Sequence, residues 1–331
     1  MPVALRRSAL RGTVAVITGA SSGIGRASAL ALADQGVHVV LAARREGPLQ
    51  KAAAQCRAKG VQAVAVPTDV ADERAVLHLA DEALALRGRL DHWVNCAGVT
   101  LYGRTDTLPM VDLQRVLDVN VSGYVHGARA ALRVFRQRGH GTLVNVGSVI
   151  GVTGQAYSAA YVMSKFAVNG LGWALRQELA ADGVRGVHVC TVLPAMIDTP
   201  VLHHAGNHTG RALRPLPPVY PPEEVARAVV SAARRPRREV YAGGAGRLAV
   251  LGARVAPGIV ERGVAYATDL VHLSHRRTAP VTSGALHTPV SAGTEPEGGW
   301  HGRARARARR LAAVGVITAG LTVAARRRAS R

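Results

Sequence analysis

Short apolar runs alternate with helical stripes along most of this chain. Residues 14–18, Val-Ala-Val-Ile-Thr, form a run rich in β-branched side chains that predicts a buried strand. After Gly23 the period changes, and Ile24, Ala27, Leu30 and Ala31 predict a helix packed back onto that strand. The alternation then repeats. Strands are predicted over 37–43, 62–66, 90–94, 141–146, 186–193 and 239–242, with helical patterns over 49–58, 110–131, 161–179 and 223–233 between them. Such alternation implies an α/β fold with a doubly wound parallel sheet, layered α/β/α. Within 110–131, Asn120 is a poor helix former and Gly123 follows closely, so either a local kink or a satisfied buried amide fits.

The turn between the first strand and helix carries Gly19, Ser21, Ser22, Gly23, Ile24 and Gly25 in the spacing Gly-x-x-x-Gly-x-Gly. Glycines let the backbone bend sharply and let an anion approach main-chain N–H groups at a helix N-terminus. A glycine turn alone can be punctuation, and no Lys-Ser/Thr of a P-loop follows. The strand-turn-helix context is what points to a nucleotide phosphate.

Strand 37–43 ends at Arg44-Arg45, with no acid there. In dinucleotide folds an acid at this point takes the ribose hydroxyls of NAD, whereas arginine accommodates a 2′-phosphate, so the pair favours NADP over NAD. A basic loop start is the plainer reading. Asp69, followed by Val70, suits a helix N-cap with Asp72 and Glu73 in the first turn, and suits equally a contact with an adenine amino group. Small residues in Asn95-Cys96-Ala97-Gly98 let the backbone lie close to a cofactor. Ser148 follows strand 141–146, where a turn hydroxyl is equally ordinary. Tyr161 and Lys165 share a helix face at i,i+4, placing an ammonium to stabilise a phenolate and lower its pKa towards working pH.

Composition narrows the alternatives. Only 4% of residues are aromatic, too few for base-stacking platforms, and the three cysteines, Cys56, Cys96 and Cys190, form no disulfide or zinc pattern. The net charge of +21 is loaded at the back: from residue 298 onward there are nine arginines and no acid. It reads as a polybasic tail, not as a nucleic-acid surface, and no specific nucleic-acid partner is expected. Only three lysines occur in the chain, which gives Lys165 weight. His203, His204 and His208 sit in a proline-rich segment over 200–222 expected to be a lid, without the acidic or thiol partners of a metal site; no metal is expected. No secretory leader or full-length transmembrane run is seen, so a cytoplasmic location is expected.

Thr18-Gly-Ala-Ser-Ser-Gly-Ile-Gly25, Asp69, Asn95-Cys-Ala-Gly98, Asn120, Ser148 and Tyr161-x-x-x-Lys165, in this order, resemble the short-chain dehydrogenase/reductase family over about residues 8–250. The resemblance implies a Rossmann fold with a seven-stranded sheet, assembly as a homodimer or homotetramer, and NAD(P)-dependent interconversion of a small-molecule carbonyl and an alcohol. It further implies that Tyr161 exchanges the proton at the substrate oxygen, Ser148 hydrogen-bonds that oxygen, Lys165 tunes Tyr161 and grips the nicotinamide ribose, and Asn120 holds a water of the proton relay. Pro194, Ile197 and Thr199 fall at the carboxamide end of the cofactor. The family usually has Asn at Cys96 and Gly at Ala195. A catalytically silent NADP-binding regulator on the same fold is the alternative, but it needs none of Ser148, Tyr161 and Lys165.

Beyond the family's usual length, 251–273 predicts a helical extension interrupted at Pro257, and 274–310, with Pro280, Pro289, Pro296 and repeated Arg-Ala, reads as a flexible linker. Residues 311–325 are uncharged and bracketed by arginines. As a helix they would be too short to span a bilayer, so 311–331 is expected either to touch an anionic membrane surface peripherally or to dock as a tail helix.

Overall fold

Seven parallel strands make the central sheet of the computed structural model, which describes residues 10–300. They are β1 (Val14–Thr18), β2 (His38–Ala43), β3 (Ala63–Pro67), β4 (His92–Asn95), β6 (Gly141–Val146), β7 (Val187–Pro194) and β10 (Glu239–Ala242), in the order β3-β2-β1-β4-β6-β7-β10. Between them lie the short strands β5 (Leu101–Tyr102), β8 (Gly206–Asn207) and β9 (Arg211–Leu213). This is the doubly wound, three-layer Rossmann-type sheet that the alternation of periods implies.

Every residue of β1 is buried, and its two faces feed different cores. Ala15 and Ile17 pack with Leu32 of α1 (Gly23–Ala33), Leu49 of α2 (Glu46–Arg57) and Val225 of α8 (Pro222–Arg234). Val14 and Val16 pack on the other side with Leu79 of α3 (Glu73–Arg87), Phe135 of α5 (Gly123–Arg138) and Leu175 of α7 (Ala159–Ala181). Two-sided burial is why the strand reads as a continuous apolar run instead of an alternating one.

The helical pattern around Asn120 resolves into α4 (Met110–Leu117), a π-helical turn over Asp118–Ser122, and α5. Gly123 stands where a Cβ would lie 2.7 Å from the Val70 side chain, so the helix approaches the end of β3 closely. The cap of α3 is Asp72, whose carboxylate accepts from the Arg74 and Ala75 amides; Asp69, for which a cap was one of two readings, lies three residues too early.

After β7 come the 3₁₀ turn Pro200–Leu202, β8 and β9, then α8 and β10. The helical extension starts earlier than expected, as α9 (Gly244–Val255), and restarts at Pro257 as α10 (Pro257–Ala267). Where a free linker was expected, β11 (Leu273–Thr278) pairs antiparallel with β9, and the chain through residue 300 lies along the sheet's carboxyl edge. The tail 311–331 is outside the described residues. Among those described, no helix is long and apolar enough to cross a membrane.

Candidate active site

The glycine turn is built by close backbone approach. Gly19 and Gly23 have φ of +71° and +53°, and a Cβ on Gly25 would fall 2.2 Å from the Gly19 carbonyl oxygen. Thr18 Oγ1 accepts from the Cys96 and Ala97 amides at 3.0 and 3.1 Å, which ties the end of β1 to the loop after β4. Strand order reverses here, the place where open α/β sheets form their ligand crevice. A cavity of about 1220 Å³ follows the crevice, lined by Gly19, Ser21, Ser22, Gly23, Ile24, Gly25, Arg44, Arg45, Asp69, Val70, Ala97 and Gly98 at one end. The same cavity reaches Ser148, Tyr161, Lys165, Pro194, Ile197 and Thr199. It exceeds the roughly 300–1,000 Å³ of ordinary small-molecule pockets, enough for a dinucleotide and a second molecule.

Ser148 follows β6, and Tyr161 and Lys165 lie near the start of α7. Lys165 Nζ donates to the Val146 carbonyl at 3.0 Å and lies 5.4 Å from the Tyr161 ring centre. Tyr124, whose hydroxyl donates to the same carbonyl at 2.8 Å, brackets the ammonium from the other side with its ring centre 5.2 Å away. Burial pulls the Lys165 pKa down to about 8. Burial also pushes the Tyr161 phenol above its ordinary value, with the Tyr102 and Cys96 side chains adding to the rise. The lowered Tyr161 pKa expected from the i,i+4 pair is therefore not what the protein alone produces: desolvation outweighs the ammonium, whose hydrogen bonds go to the Val146 carbonyl and the Tyr124 hydroxyl.

Two expected site residues lie beneath the cavity instead of in it. In β4, Asn95 shares a face with Trp93, and that face meets α5. Its Oδ1 accepts from Trp93 Nε1 at 2.8 Å, and its Nδ2 donates to the Tyr124 carbonyl and to Asn145 Oδ1. Asn120 is both kinked backbone and satisfied amide. Its Nδ2 donates to the Val99 carbonyl at 2.9 Å and to Ser164 Oγ at 3.0 Å, while Oδ1 accepts from the Val99 amide. Both side-chain donors are spent.

Asp69 does line the cavity. Burial opposes its charge, yet the Ala71 amide and the Arg115 guanidinium hold its pKa below the usual carboxylate value. Arg44 and Arg45 are also in place, but their Nη donors are engaged mostly by the chain's own late residues. Arg44 Nη1 donates to the Leu286 and His287 carbonyls, both at 3.0 Å, and Nη2 to that of Ala285. Arg45 donates to the Val290, Ala292 and Gly293 carbonyls and to Ser22 Oγ at 2.9 Å. Arg26, only 3% exposed, donates to the Thr294 carbonyl, and the Gly23 amide donates to that of Glu295. Asp198 Oδ1 accepts from the Gly298 and Trp300 amides, and Trp300 stacks on His203 with ring centres 4.6 Å apart.

The departures from the family pattern have local explanations. The Cys96 thiol is pushed up to about 12 by burial, so it stays a neutral packing group. The methyl of Ala195 sits against Gly243 and Gly246, where added Cβ atoms would come within 3.0 and 3.1 Å of it. Glycine at the start of α9 is held to more tightly by other neighbours: a Cβ would lie 2.8 Å from the Tyr220 ring at Gly243, whose φ is +96°, and 2.6 Å from the Val149 side chain at Gly246. Leu213, Leu216 and Val219, within the 200–222 segment expected as a lid, also line the cavity, beside polar Gln155, Arg214 and Arg277; not legible beforehand were Val264 and Ala267 from α10 and Tyr102, whose ring meets His272 at 4.9 Å.

A family model described as short chain dehydrogenase matches residues 13–209. An uncharacterized oxidoreductase of Bacillus subtilis, YxnA, is 38% identical over 254 residues, which cover 75% of this chain and 70% of that one. A putative oxidoreductase of Mycobacterium tuberculosis, SadH, is 37% identical over 198 residues, 60% of this chain and 71% of its own. Among solved structures, a short-chain dehydrogenase/reductase from Burkholderia phymatum in complex with NAD superposes with a TM-score of 0.67 at 29% identity, covering 75% of this chain and 96% of that one. An alcohol dehydrogenase from Thermococcus sibiricus complexed with 5-hydroxy-NADP gives 0.60 at 27% identity, covering 69% and 95%.

Proposed function

The chain belongs to the short-chain dehydrogenase/reductase family of oxidoreductases, and from that premise we propose that it interconverts a ketone or aldehyde with the corresponding alcohol, using NADP(H). A nicotinamide dinucleotide supplies or accepts the hydride. The observation that carries the reading is that Ser148, Tyr161 and Lys165 line the same cavity as the glycine turn.

In this reading Tyr161 gives its proton to the substrate oxygen in the reductive direction, and Ser148 donates a hydrogen bond to that oxygen and holds it in place. Lys165 keeps positive charge beside the phenol as the proton leaves. With both Asn120 side-chain donors committed, a relay water at Asn120 would have to donate, either to the main-chain carbonyl or to the second lone pair of Oδ1. Arg44 and Arg45 are the groups that favour a 2′-phosphate. The roles of the turn residues, Asp69, Val70, Ala97, Gly98, Pro194, Ile197 and Thr199 as cofactor contacts belong to the same proposal. Met163, Phe166 and Trp173 stand 46–51% exposed along α7, a face suited to assembly of a homodimer or homotetramer.

A panel of ketones, aldehydes and alcohols with NADPH and NADH tests the reading, comparing wild type with Tyr161→Phe. Turnover is expected with NADPH preferred, and the Phe variant should keep cofactor affinity while losing about 10²–10⁴-fold in kcat. Undiminished turnover in Tyr161→Phe would remove the proton-donor role, and the silent regulator would gain if no carbonyl turned over.

A further inference from the structure

We propose that residues 285–300 are a built-in outer wall of the dinucleotide site, a strap that closes over the bound cofactor instead of competing with it. The inference rests on reading the cleft as a nicotinamide dinucleotide site. The strap runs the length of the crevice. Arg44 and Arg45 at the end of β2 hold its first half, the Gly23 amide at the start of α1 holds the Glu295 carbonyl at 3.1 Å, and Asp198 beyond β7 holds its far end.

Beneath the strap the cavity stays continuous. Gly19, Asp69 and Tyr161 line the same space as Ala285, Val290 and Trp300. A segment that mimicked the cofactor would fill that space; this one roofs it and enters the glycine turn only at the Gly23 amide, which a bound phosphate would take over from the Glu295 carbonyl. Every strap bond of the two arginines uses Nη atoms and main-chain carbonyls, so each guanidinium is held in position by its outer nitrogens while its Nε–H lies outside those bonds. The strap thus orients the groups that would receive a 2′-phosphate.

The strap is also fastened from behind. Asp112, 2% exposed, accepts from Ser283 Oγ at 2.8 Å, from His287 Nε2 at 2.7 Å and from His208 Nε2 at 2.8 Å. One buried carboxylate therefore joins α4, the segment after β7 and the root of the strap. Close seating needs glycine at the far end, where a Cβ on Gly298 would lie 2.3 Å from the Thr199 carbonyl oxygen.

Hydrogen exchange read by mass spectrometry on the full chain, with and without saturating NADPH, tests the proposal directly. Amides of 285–300 should exchange more slowly with NADPH bound. In stopped-flow fluorescence, NADPH should leave the Ser283→Ala/His287→Ala variant about tenfold faster than wild type, since two hydrogen bonds to a charged anchor are lost. Exchange over 285–300 that quickens or stays level on binding, or an unaltered release rate in that variant, overturns the proposal while leaving the dinucleotide site standing. A chain that binds neither NADPH nor NADH overturns both.

Discussion

Lys165 Nζ lies 5.4 Å from the centre of the Tyr161 ring, one helical turn along α7. The two side chains share a buried site, and burial acts on them in opposite senses, lowering the ammonium pKa to about 8 and raising that of the phenol. At neutral pH both therefore hold their protons. That state has a proton to give and a positive charge to leave behind, which suits carbonyl reduction.

Lys165 sets the expected pH profile of reduction. Its charge is complete well below pH 8 and lost as pH rises through about 8, so turnover should be level on the acid side of that value and fall on the alkaline side. Lys165→Met should lower kcat and abolish the limb near pH 8. An alkaline limb of the same midpoint in the variant would assign it to another group.

Arg44 and Arg45 should decide between the two nicotinamide dinucleotides. Replacing both by alanine is expected to raise KM for NADPH by about 10–100-fold, the range for losing hydrogen bonds to a charged group, with a smaller effect on NADH. Parallel losses for both cofactors, measured by steady-state kinetics, would mean that the arginines serve the strap and not a 2′-phosphate.

Gly25→Ala tests the turn as backbone geometry. The new methyl meets a main-chain oxygen at 2.2 Å, which no rotamer relieves, so α1 must shift. The expected cost is about 1–3 kcal/mol in denaturant unfolding, together with loss of cofactor binding. Wild-type stability and affinity would show that the turn has slack.

His92 buries both ring nitrogens without hydrogen-bond partners and His272 is buried against the Tyr102 ring; burial lowers each pKa to about 4, against a smaller upward pull on His272 from the Arg214 backbone. The unfolded chain, with histidines near 6.5, takes up these protons first. Stability should be full above about pH 6.5 and decline as pH falls to 4, by up to about 3 kcal/mol for each ring. Urea unfolding at stepped pH should show a shallower decline in His272→Leu; an identical slope would place the acid sensitivity elsewhere.

The sheet and the glycine turn were legible because their signals are local. β1 is four apolar residues and a threonine, all buried, and the turn is a spacing of glycines. Asn95 was expected at the cofactor because its neighbours are small, whereas the alternation in β4 puts its side chain on the face of Trp93, spent on Tyr124 and Asn145 beneath the crevice. Spacing placed Tyr161 beside Lys165 correctly but could not weigh an ammonium against desolvation, which depends on residues as distant as Tyr102. The strap left no side-chain signature. Its bonds run chiefly through main-chain carbonyls, which every residue has, and its proline and glycine content matches that of a free linker.

Leu273 and Leu286 are at most 1% exposed, although both come after the point where a family-sized catalytic domain would end. An expression boundary drawn near residue 250 would strip these anchors from the interior and leave Asp112 without two of its donors. The smallest well-behaved recombinant version of this protein should thus reach residue 300, and instability of shorter versions would reflect where they were cut, not a defect of the enzyme.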